Sequence, residues 1–262
     1  MACVRALMIG DVMGEPGLKA LEQQLPLLIE KHKADFSVVN GENAASGFGM
    51  TEDVLRRIIA AGADVVSSGN HVWEKRDFWP VMEREERLLR PANYPEGVAG
   101  RGAVLVEKAG IVWHVINLQG RELMSNIDCP FKCFDKLYRK DSSVTLVDFH
   151  AETTGEKEAL AYYLDGRAAV VAGTHSHIQT ADERLLPRGT AYISDLGMTG
   201  VQNEVIGMDF HICLDRARKQ ILYKMECAEN TGEIRGITVE IEGETGKALS
   251  IRRIGFPPAV CV

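Results

Sequence analysis

The segment from residue 63 to residue 71 reads ADVVSSGNH. Its apolar start, with Val65 and Val66, predicts a short buried β-strand, and the chain leaves that strand through Gly69 into the polar pair Asn70 and His71. The carboxyl ends of the strands of a parallel α/β sheet lie along one edge, and ligands bind there. The role of His71 therefore depends on which other side chains reach the same edge.

Four other apolar segments end in the same way. LMIGD ends in Asp11, SVVNGEN in Glu42 and Asn43, TLVDFH in His150, and VVAGTHSH in His175 and His177. A single polar residue at a strand end is more often a solvated residue or a cap, but five such ends with oxygen or nitrogen donors predict a metal site. On an extended chain His175 and His177 would share a face and reach neighbouring ions.

The donor types indicate which chemistry such a site supports. Carboxylate, amide and imidazole donors without thiolate favour iron, manganese or zinc. One ion usually takes three or four protein ligands, so the number of candidates predicts two ions, and a carboxylate such as Glu42 can bridge them. Two ions can hold a hydroxide and stabilise an in-line displacement at phosphorus. The residues alone leave open whether Asn70 or His71 is the ligand, since imidazole is the stronger donor.

The first third of the chain alternates strand and helix patterns, which predicts a parallel sheet covered by helices. We expect a helix in TEDVLRRIIAAG, with Thr51 as its N-cap and Gly62 as its C-terminal stop. A further helix in KRDFWPVMERE is expected to break at Pro80. The predicted strands here are VRALMIG, FSVVNG and ADVVSSG, and the long helix between the first two is LKALEQQLPLLIEKHK.

The rest of the chain is richer in strands. Two strands joined by a turn are predicted in GAVLVEKAGIVWHVINLQG. Two more strands are predicted in SVTLVDFH and AAVVAGTHSH, with a helix, EKEALAYYL, between them. TAYISDLG, QILYKMECA, IRGITVEIE and ALSIRRI also have strand-like patterns. Residues from about 120 to 140 lack a clear period and predict a partly helical surface excursion near the site. The simplest organisation is one domain over residues 1–262, with two β-rich halves facing each other between helices.

Composition excludes several classes of protein. With 262 residues, 45% of them hydrophobic, the chain can bury a large core, and its net charge of −7 argues against binding extended nucleic acid. No apolar segment predicts a secretory signal or a membrane span, so the expected location is the cytoplasm. Self-association into a homo-oligomer is compatible with the sequence. The scattered cysteines predict free thiols: Cys3, Cys129, Cys133, Cys213, Cys227 and Cys261.

Two other functions compete with a metal-dependent enzyme. The early alternation of strands and helices also suggests a dinucleotide-binding fold, but the spacing of Gly10, Gly14 and Gly17 is not the dinucleotide fingerprint. The second alternative is a regulatory or nucleotide-sensing protein whose metal site is only weakly active. Turnover measured in a metal-loaded sample separates this alternative from an enzyme.

The order of these motifs resembles a known superfamily. GD, GEN, GNH, a lone strand-end histidine and HSH follow one another as in the calcineurin-like metallophosphoesterases, and the YmdB-like bacterial branch fits more closely still. That resemblance runs from about residue 7 to about residue 200, through IGDVMGEPG, NGENAASGFGMT, GNHVWEK, RPANYPEG, INLQGR, DFHAE, GTHSHIQTAD and AYISDLGMTG. Met13 replaces the usual histidine of the superfamily and Glu42 the usual aspartate, and both departures match the branch.

The resemblance implies a fold, a ligand set and a reaction. The implied fold is α/β, a four-layer αββα sandwich of two mixed β-sheets. One ion would be held by Asp11, Glu42, Asn43 and His177, and the other by Glu42, Asn70, His150 and His175. A bridging hydroxide would be the nucleophile, and His71 would stay off the ions and protonate the departing oxygen as general acid.

The resemblance also implies the metal and the substrate. Iron is the expected metal, with manganese able to serve in its place. The expected partner is a small phosphodiester, a 2′,3′-cyclic nucleotide opened to the 3′-phosphate, with 3′,5′-cyclic AMP as a further substrate. RPANYPEG and QGRELMSNIDCPFKC are predicted to line the pocket, while Arg90, Asn117 and Arg121 are assigned structural roles.

Overall fold

A computed structural model describes residues 3–141 and 143–255, so residues 1, 2, 142 and 256–262, Cys261 among them, lie outside the described residues. The strands are β1 (Cys3–Ile9), β2 (Asp11–Val12), β3 (Phe36–Asn40), β4 (Val65–Ser67), β5 (Ala103–Lys108), β6 (Ile111–Gln119), β7 (Val144–His150), β8 (Val170–Thr174), β9 (Arg184–Leu185), β10 (Ala191–Ile193), β11 (Met198–Thr199), β12 (Gly236–Glu242) and β13 (Ala248–Ile254). The helices are α1 (Gly14–His32), α2 (Glu52–Ala60), α3 (Trp79–Arg84), α4 (Pro130–Leu137), α5 (Thr154–Leu164) and α6 (Phe210–Lys219), and a 3-10 turn at Arg76–Phe78 precedes α3.

The strands form two mixed sheets. The first has the order β13-β12-β1-β3-β4, and the second has the order β5-β6-β7-β8-β10-β9. Parallel pairs run through the centre of each sheet, β1-β3-β4 in the first and β6-β7-β8-β10 in the second, while the remaining strands add antiparallel edges. The short parallel pair of β2 and β11 brings Asp11 next to Met198.

Alternation of side chains along the central strands builds three apolar layers. One layer lies between the two sheets, where the rings of Phe36 and Trp113 stack with centroids 4.7 Å apart. A second layer packs the outer face of the first sheet against α1, α2 and α3, and a third packs the outer face of the second sheet against α4 and α5. The predicted four-layer αββα sandwich is therefore confirmed.

Local signals were correct in the first helices. The hydroxyl of Thr51 accepts a hydrogen bond from the backbone N–H of Val54, 3.3 Å away, and caps α2 as predicted. Gly62 follows the helix with a φ of +117°, a conformation that side chains rarely adopt. The predicted break at Pro80 is displaced, since the 3-10 turn ends at Phe78 and Pro80 lies in the first turn of α3.

The C-terminal third departs from the prediction. QILYKMECA, residues 220–228, forms no strand, because its Met225 and Cys227 pack against an apolar group of Met13, Met198 and Met208 instead of joining a sheet. Before it lies α6, which was not predicted. The Asp209 side chain caps this helix by accepting the backbone N–H of Ile212. No residue of α6 is buried, so the helix has only a weak apolar pattern in the sequence.

Several predictions concern the whole chain. The predicted excursion after β6 is irregular up to α4, and α4 buries Phe134. The organisation of the chain as one domain stays a prediction. Of the cysteines, Cys3, Cys129, Cys133, Cys213 and Cys227 are free thiols. Within residues 3–141 and 143–255 no helix has the length and apolarity that crossing a bilayer requires, and the cytoplasmic location stays a prediction.

Candidate active site

The strand ends meet at one edge shared by both sheets. Asp11 follows β1, Glu42 and Asn43 follow β3, Asn70 follows β4, His150 ends β7, and His175 and His177 follow β8. Contacts link these side chains into one group, here called the strand-end cluster: Asp11, Glu42, Asn43, Asn70, His150, His175 and His177. The structure brings all seven of these residues together, while their roles as metal ligands stay a prediction.

His150 lies at the centre of the strand-end cluster. Its Nε2 atom is 3.1 Å from Oε1 of Glu42 and 3.0 Å from Oδ1 of Asn70. Glu42, His150 and His175 each offer a donor atom within 4.8 Å of the other two, a spacing that suits one metal ion. Gly69 makes this approach feasible, because a Cβ there would lie 2.2 Å from Oε2 of Glu42 and 2.3 Å from Nε2 of His150.

The other side of the cluster carries two buried oxygen atoms that accept no hydrogen bond from the described residues. The Asn43 amide nitrogen lies 3.1 Å from Nε2 of His177 and donates to Oε1 of Glu42, also at 3.1 Å. Asp11 accepts the backbone N–H of His175 through Oδ2 at 3.1 Å. Oδ1 of Asp11 and Oδ1 of Asn43 are buried and accept no hydrogen bond from any residue in 3–141 or 143–255, which is unfavourable for a polar atom. Both oxygens therefore fit a cation.

His71 occupies a different environment from its neighbour Asn70. Its backbone N–H donates to Oε2 of Glu42 at 3.3 Å, but its ring turns to the rim, where Nδ1 lies 3.2 Å from Oε1 of Glu74. The ring packs edge-on against Phe48, with centroids 5.1 Å apart, and the side chain is 27% exposed. The Asn70 side chain therefore contacts the other residues of the cluster, whereas the ring of His71 lies beside the cluster.

A hydrogen-bond chain behind His150 fixes the orientation of its ring. The Thr174 hydroxyl donates to Oδ1 of Asp148 at 2.7 Å, so it accepts from the N–H at Nδ1 of His150, 2.9 Å away. The Asn40 amide also donates to Asp148, at 2.9 Å. Nε2 of His150 is thereby directed at the cluster. Sequence reasoning missed Asp148, although its spacing of two residues from His150 places both side chains on one face of β7.

The HSH segment does not continue β8. His175 and His177 have φ values of +102° and +66°, so the expectation of an extended chain at this point is wrong. The strand ends at Thr174, and the turn sends the two rings to different partners. His175 packs on His150 with ring centroids 4.6 Å apart, while Nδ1 of His177 lies 2.9 Å from the carbonyl oxygen of Ile206.

Asp195 holds this strained turn from behind. Its carboxylate accepts the backbone N–H of Ser176 at 3.0 Å and that of Gly197 at 2.8 Å. The Lys157 ammonium donates to the same carboxylate at 2.8 Å, and both side chains are at most 3% exposed. Sequence reasoning left both without a role, because Lys157 lies within an ordinary helical pattern and Asp195 within the strand-like segment TAYISDLG.

Electrostatics differ between the residues of the cluster. Burial raises the pKa of Asp11 to about 7, although His177 and His150 oppose the shift. For Glu42, burial acts upward, but the charge and hydrogen bond of His150 outweigh it and lower the pKa to about 2. Burial opposes charge on His150, yet Glu42 raises its pKa to about 9. Burial and the nearby His150 lower the pKa of His175 to about 3, so His175 is neutral and able to bind a metal.

An αββα sandwich that gathers histidine, amide and carboxylate donors at its strand ends is the architecture of a calcineurin-like metallophosphoesterase, an enzyme that hydrolyses phosphate esters. The chain belongs to the YmdB-like family, since the family model described as "YmdB-like protein" matches residues 7–254. The predicted class and branch are both confirmed. A metal requirement accords with this class and with the group of Glu42, His150 and His175.

Three comparisons place the chain more narrowly. It is 43% identical over 254 residues to the 2′,3′-cyclic-nucleotide 2′-phosphodiesterase of Bacillus subtilis (strain 168), covering 96% of each chain. A solved structure of a novel phosphatase from Mycoplasma pneumoniae is 29% identical, with a TM-score of 0.92 over 98% of this chain and 94% of that one. The solved structure of the NAD nucleotidase of Haemophilus influenzae is 13% identical, with a TM-score of 0.61 over 97% of this chain and 50% of that one. At this identity the likeness shows a shared fold and nothing more.

Proposed function

We propose that the protein is a metal-dependent phosphodiesterase that opens 2′,3′-cyclic nucleotides to 3′-phosphates, with 3′,5′-cyclic AMP as a further substrate. The observation that carries the proposal is the convergence of Glu42 and Asn70 on Nε2 of His150, at 3.1 and 3.0 Å. Beside them lies Oδ1 of Asp11, which accepts no hydrogen bond from the described residues. The Bacillus subtilis relative, named for this activity, supports the same substrate class.

Two metal ions fit the donor set. Asp11, Glu42, Asn43 and His177 would hold one, and Glu42, Asn70, His150 and His175 the other, with Glu42 shared. Iron is the proposed metal and manganese its substitute, as the family resemblance implies. Oxygen and imidazole donors without thiolate suit both metals. Two ions bound there would supply positive charge at the phosphoryl oxygens and lower the pKa of a bound water.

The chain itself supplies the proton for the departing oxygen. Opening a 2′,3′-cyclic phosphate to the 3′-phosphate breaks the bond between phosphorus and the 2′-oxygen, and that oxygen needs a proton as it leaves. His71 is proposed to deliver it from Nε2. Glu74 accepts from the N–H at Nδ1, 3.2 Å away, and Phe48 supports the ring, so Nε2 is directed away from the Glu74 carboxylate. A positioned acid of this kind contributes roughly 10²–10⁴-fold.

The test is turnover with product identification. Purified protein loaded with Fe²⁺ or with Mn²⁺ is incubated with 2′,3′-cyclic AMP, and the products are separated by chromatography. We expect 3′-AMP, no turnover after chelation, and recovery on adding metal back. Formation of 2′-AMP would contradict the proposed bond cleavage. A fully loaded protein that turns over no cyclic nucleotide would favour the regulatory alternative instead.

A further inference from the structure

Three side chains form a wall beside the strand-end cluster without belonging to it. This aromatic wall consists of Trp73, Tyr94 and Gln119. Trp73 comes two residues after His71, on the same loop. Gln119 ends β6 and lies in register with His150 on β7. Paired residues of neighbouring parallel strands project to the same face about 5 Å apart, so the side chain of Gln119 begins next to that of His150.

Contacts among the three residues make the wall continuous. The rings of Trp73 and Tyr94 pack with centroids 4.3 Å apart, and the Tyr94 hydroxyl donates to Oε1 of Gln119 at 3.0 Å. Asn93 fixes the strand end from the other side, because it accepts the backbone N–H of Gln119 at 2.9 Å and donates to its carbonyl oxygen at 2.8 Å. Burial raises the pKa of Tyr94, and the nearby charge of Glu42 adds to this effect.

Two hydrogen-bond donors of the wall find no acceptor among the residues that the structure describes. Because Tyr94 occupies Oε1 of Gln119, the amide nitrogen Nε2 is left as a donor, and Gln119 is fully buried. Nε2 of Gln119 and the indole Nε1 of Trp73 are both buried and make no hydrogen bond within the described part of the chain. A buried donor without an acceptor is unfavourable, so two of them on one wall point to an acceptor-bearing ligand.

We propose that the aromatic wall is the nucleoside subsite of the enzyme. The Gln119 amide would donate to an oxygen of the nucleoside whose cyclic phosphate lies at the strand-end cluster, and Trp73 and Tyr94 would pack against its ribose or base. Aromatic faces suit any nucleobase, and a polar group that a ligand must satisfy discriminates against analogues without the acceptor. The inference rests on the proposed function, since it extends the same site.

The test compares two cyclic phosphodiesters. 2′,3′-Cyclic AMP carries a nucleoside, whereas ethylene phosphate has the same five-membered phosphodiester ring without one. We expect Gln119→Leu to raise KM for 2′,3′-cyclic AMP roughly tenfold, the value of about one hydrogen bond, and to change kcat/KM for ethylene phosphate by less than about twofold. Equal losses on both substrates, or an unchanged KM for the nucleotide, would overturn the subsite.

Two further variants and a matched control secure the comparison. Trp73→Phe keeps an aromatic face but removes the Nε1 donor, and Tyr94→Phe removes the hydroxyl that orients Gln119. If Gln119→Leu does not fold, each of these variants should still raise KM for 2′,3′-cyclic AMP without affecting ethylene phosphate. Gln23→Leu makes the same chemical change at an exposed position of α1 and should alter neither substrate. Selectivity unchanged in all the wall variants would contradict the proposal.

Binding of 3′-AMP, followed by calorimetry, separates the subsite from the proposed reaction. A wild-type protein that binds 3′-AMP but does not turn over 2′,3′-cyclic AMP, with binding weakened about tenfold in Gln119→Leu, would refute the function and keep the subsite. A wild type that turns over the substrate, with equal 3′-AMP affinity in the variant, would refute the subsite alone. Absence of both binding and turnover in the wild type would refute both.

Discussion

His150 and His71 lie on opposite sides of Glu42 and differ in nearly every physical respect. The ring of His150 is fully buried, and both of its nitrogens have partners at 3.1 Å or less. The ring of His71 is 27% exposed, with a carboxylate at Nδ1 and an aromatic edge beside it. A ring held on both sides is suited to fixed coordination, whereas one that reaches solvent can exchange protons with it. The difference fits the proposed division of roles, in which His150 binds metal and His71 transfers a proton.

The largest expected effect comes from removing the shared carboxylate. Glu42→Gln should release both ions and lower activity by roughly 10³-fold or more, because several kcal/mol of transition-state stabilisation would be lost together. Elemental analysis of the purified variant measures both ions directly. Glu52→Gln, at the partly exposed first residue of α2, is the matched control and should keep both ions. One ion fully retained in Glu42→Gln would show that the carboxylate does not bridge.

The rim histidine gives the next largest effect. His71→Ala should lower kcat by roughly 10²–10⁴-fold, the usual contribution of a positioned general acid, while metal content stays near that of the wild type. The same substitution at His32, the partly exposed last residue of α1, is the control. Loss of both ions in His71→Ala would make the residue a ligand and remove the contrast with His150.

Much of this site was predictable from the sequence because strand ends are local features. An apolar run that stops at a polar donor fixes that donor at the sheet edge, which is why Asp11, Glu42, His150 and the HSH segment were found. The choice between Asn70 and His71 was not available from the residues, because it depends on how the loop turns after β4. Only the resemblance predicted it, and the observed ring directions agree with that choice.

What could not be predicted depends on contacts between distant parts of the chain. Lys157 lies on α5 and Asp195 follows β10, so their pairing appears only when the second sheet is assembled. The turn at His175 and His177 depends on that pair, and an extended chain was the simpler expectation. Likewise, 220–228 had an apolar pattern typical of a strand, but its partner is a group of methionines rather than a sheet edge.

Substitutions in the Lys157–Asp195 pair test whether this pair holds the HSH turn of the site in place. Lys157→Met should destabilise the fold by about 3–5 kcal/mol, because Asp195 would be left as an unpaired buried charge. It should also weaken metal binding about 10–100-fold, since the HSH turn loses its support. Thermal unfolding and metal titration measure the two effects. The double variant Lys157→Met with Asp195→Asn should recover part of the stability, and no recovery would argue against a charge effect.

The smallest expected effect is a pH dependence of the metal-free protein. The pKa of His150 is raised to about 9, so its stabilising charge is fully present below its ordinary pKa of 6.5 and is lost as pH rises through about 9. Burial raises the pKa of Asp11 from its ordinary value of 3.8 to about 7, so its own loss of stability falls between those two pH values and is nearly complete before His150 loses its proton. Chelated protein should therefore lose on the order of 1–3 kcal/mol between pH 6.5 and 9.

Metal binding should reverse this trend and so sharpen the contrast between the two histidines. A cation displaces the proton from His150, so its affinity rises over the same pH range in which the chelated protein weakens. Thermal unfolding with and without Mn²⁺ at pH 6.5 and 9 should therefore show the larger stabilisation by metal at pH 9. Equal stabilisation at both values would mean that no buried proton competes with the ion, and that His150 is not among its ligands.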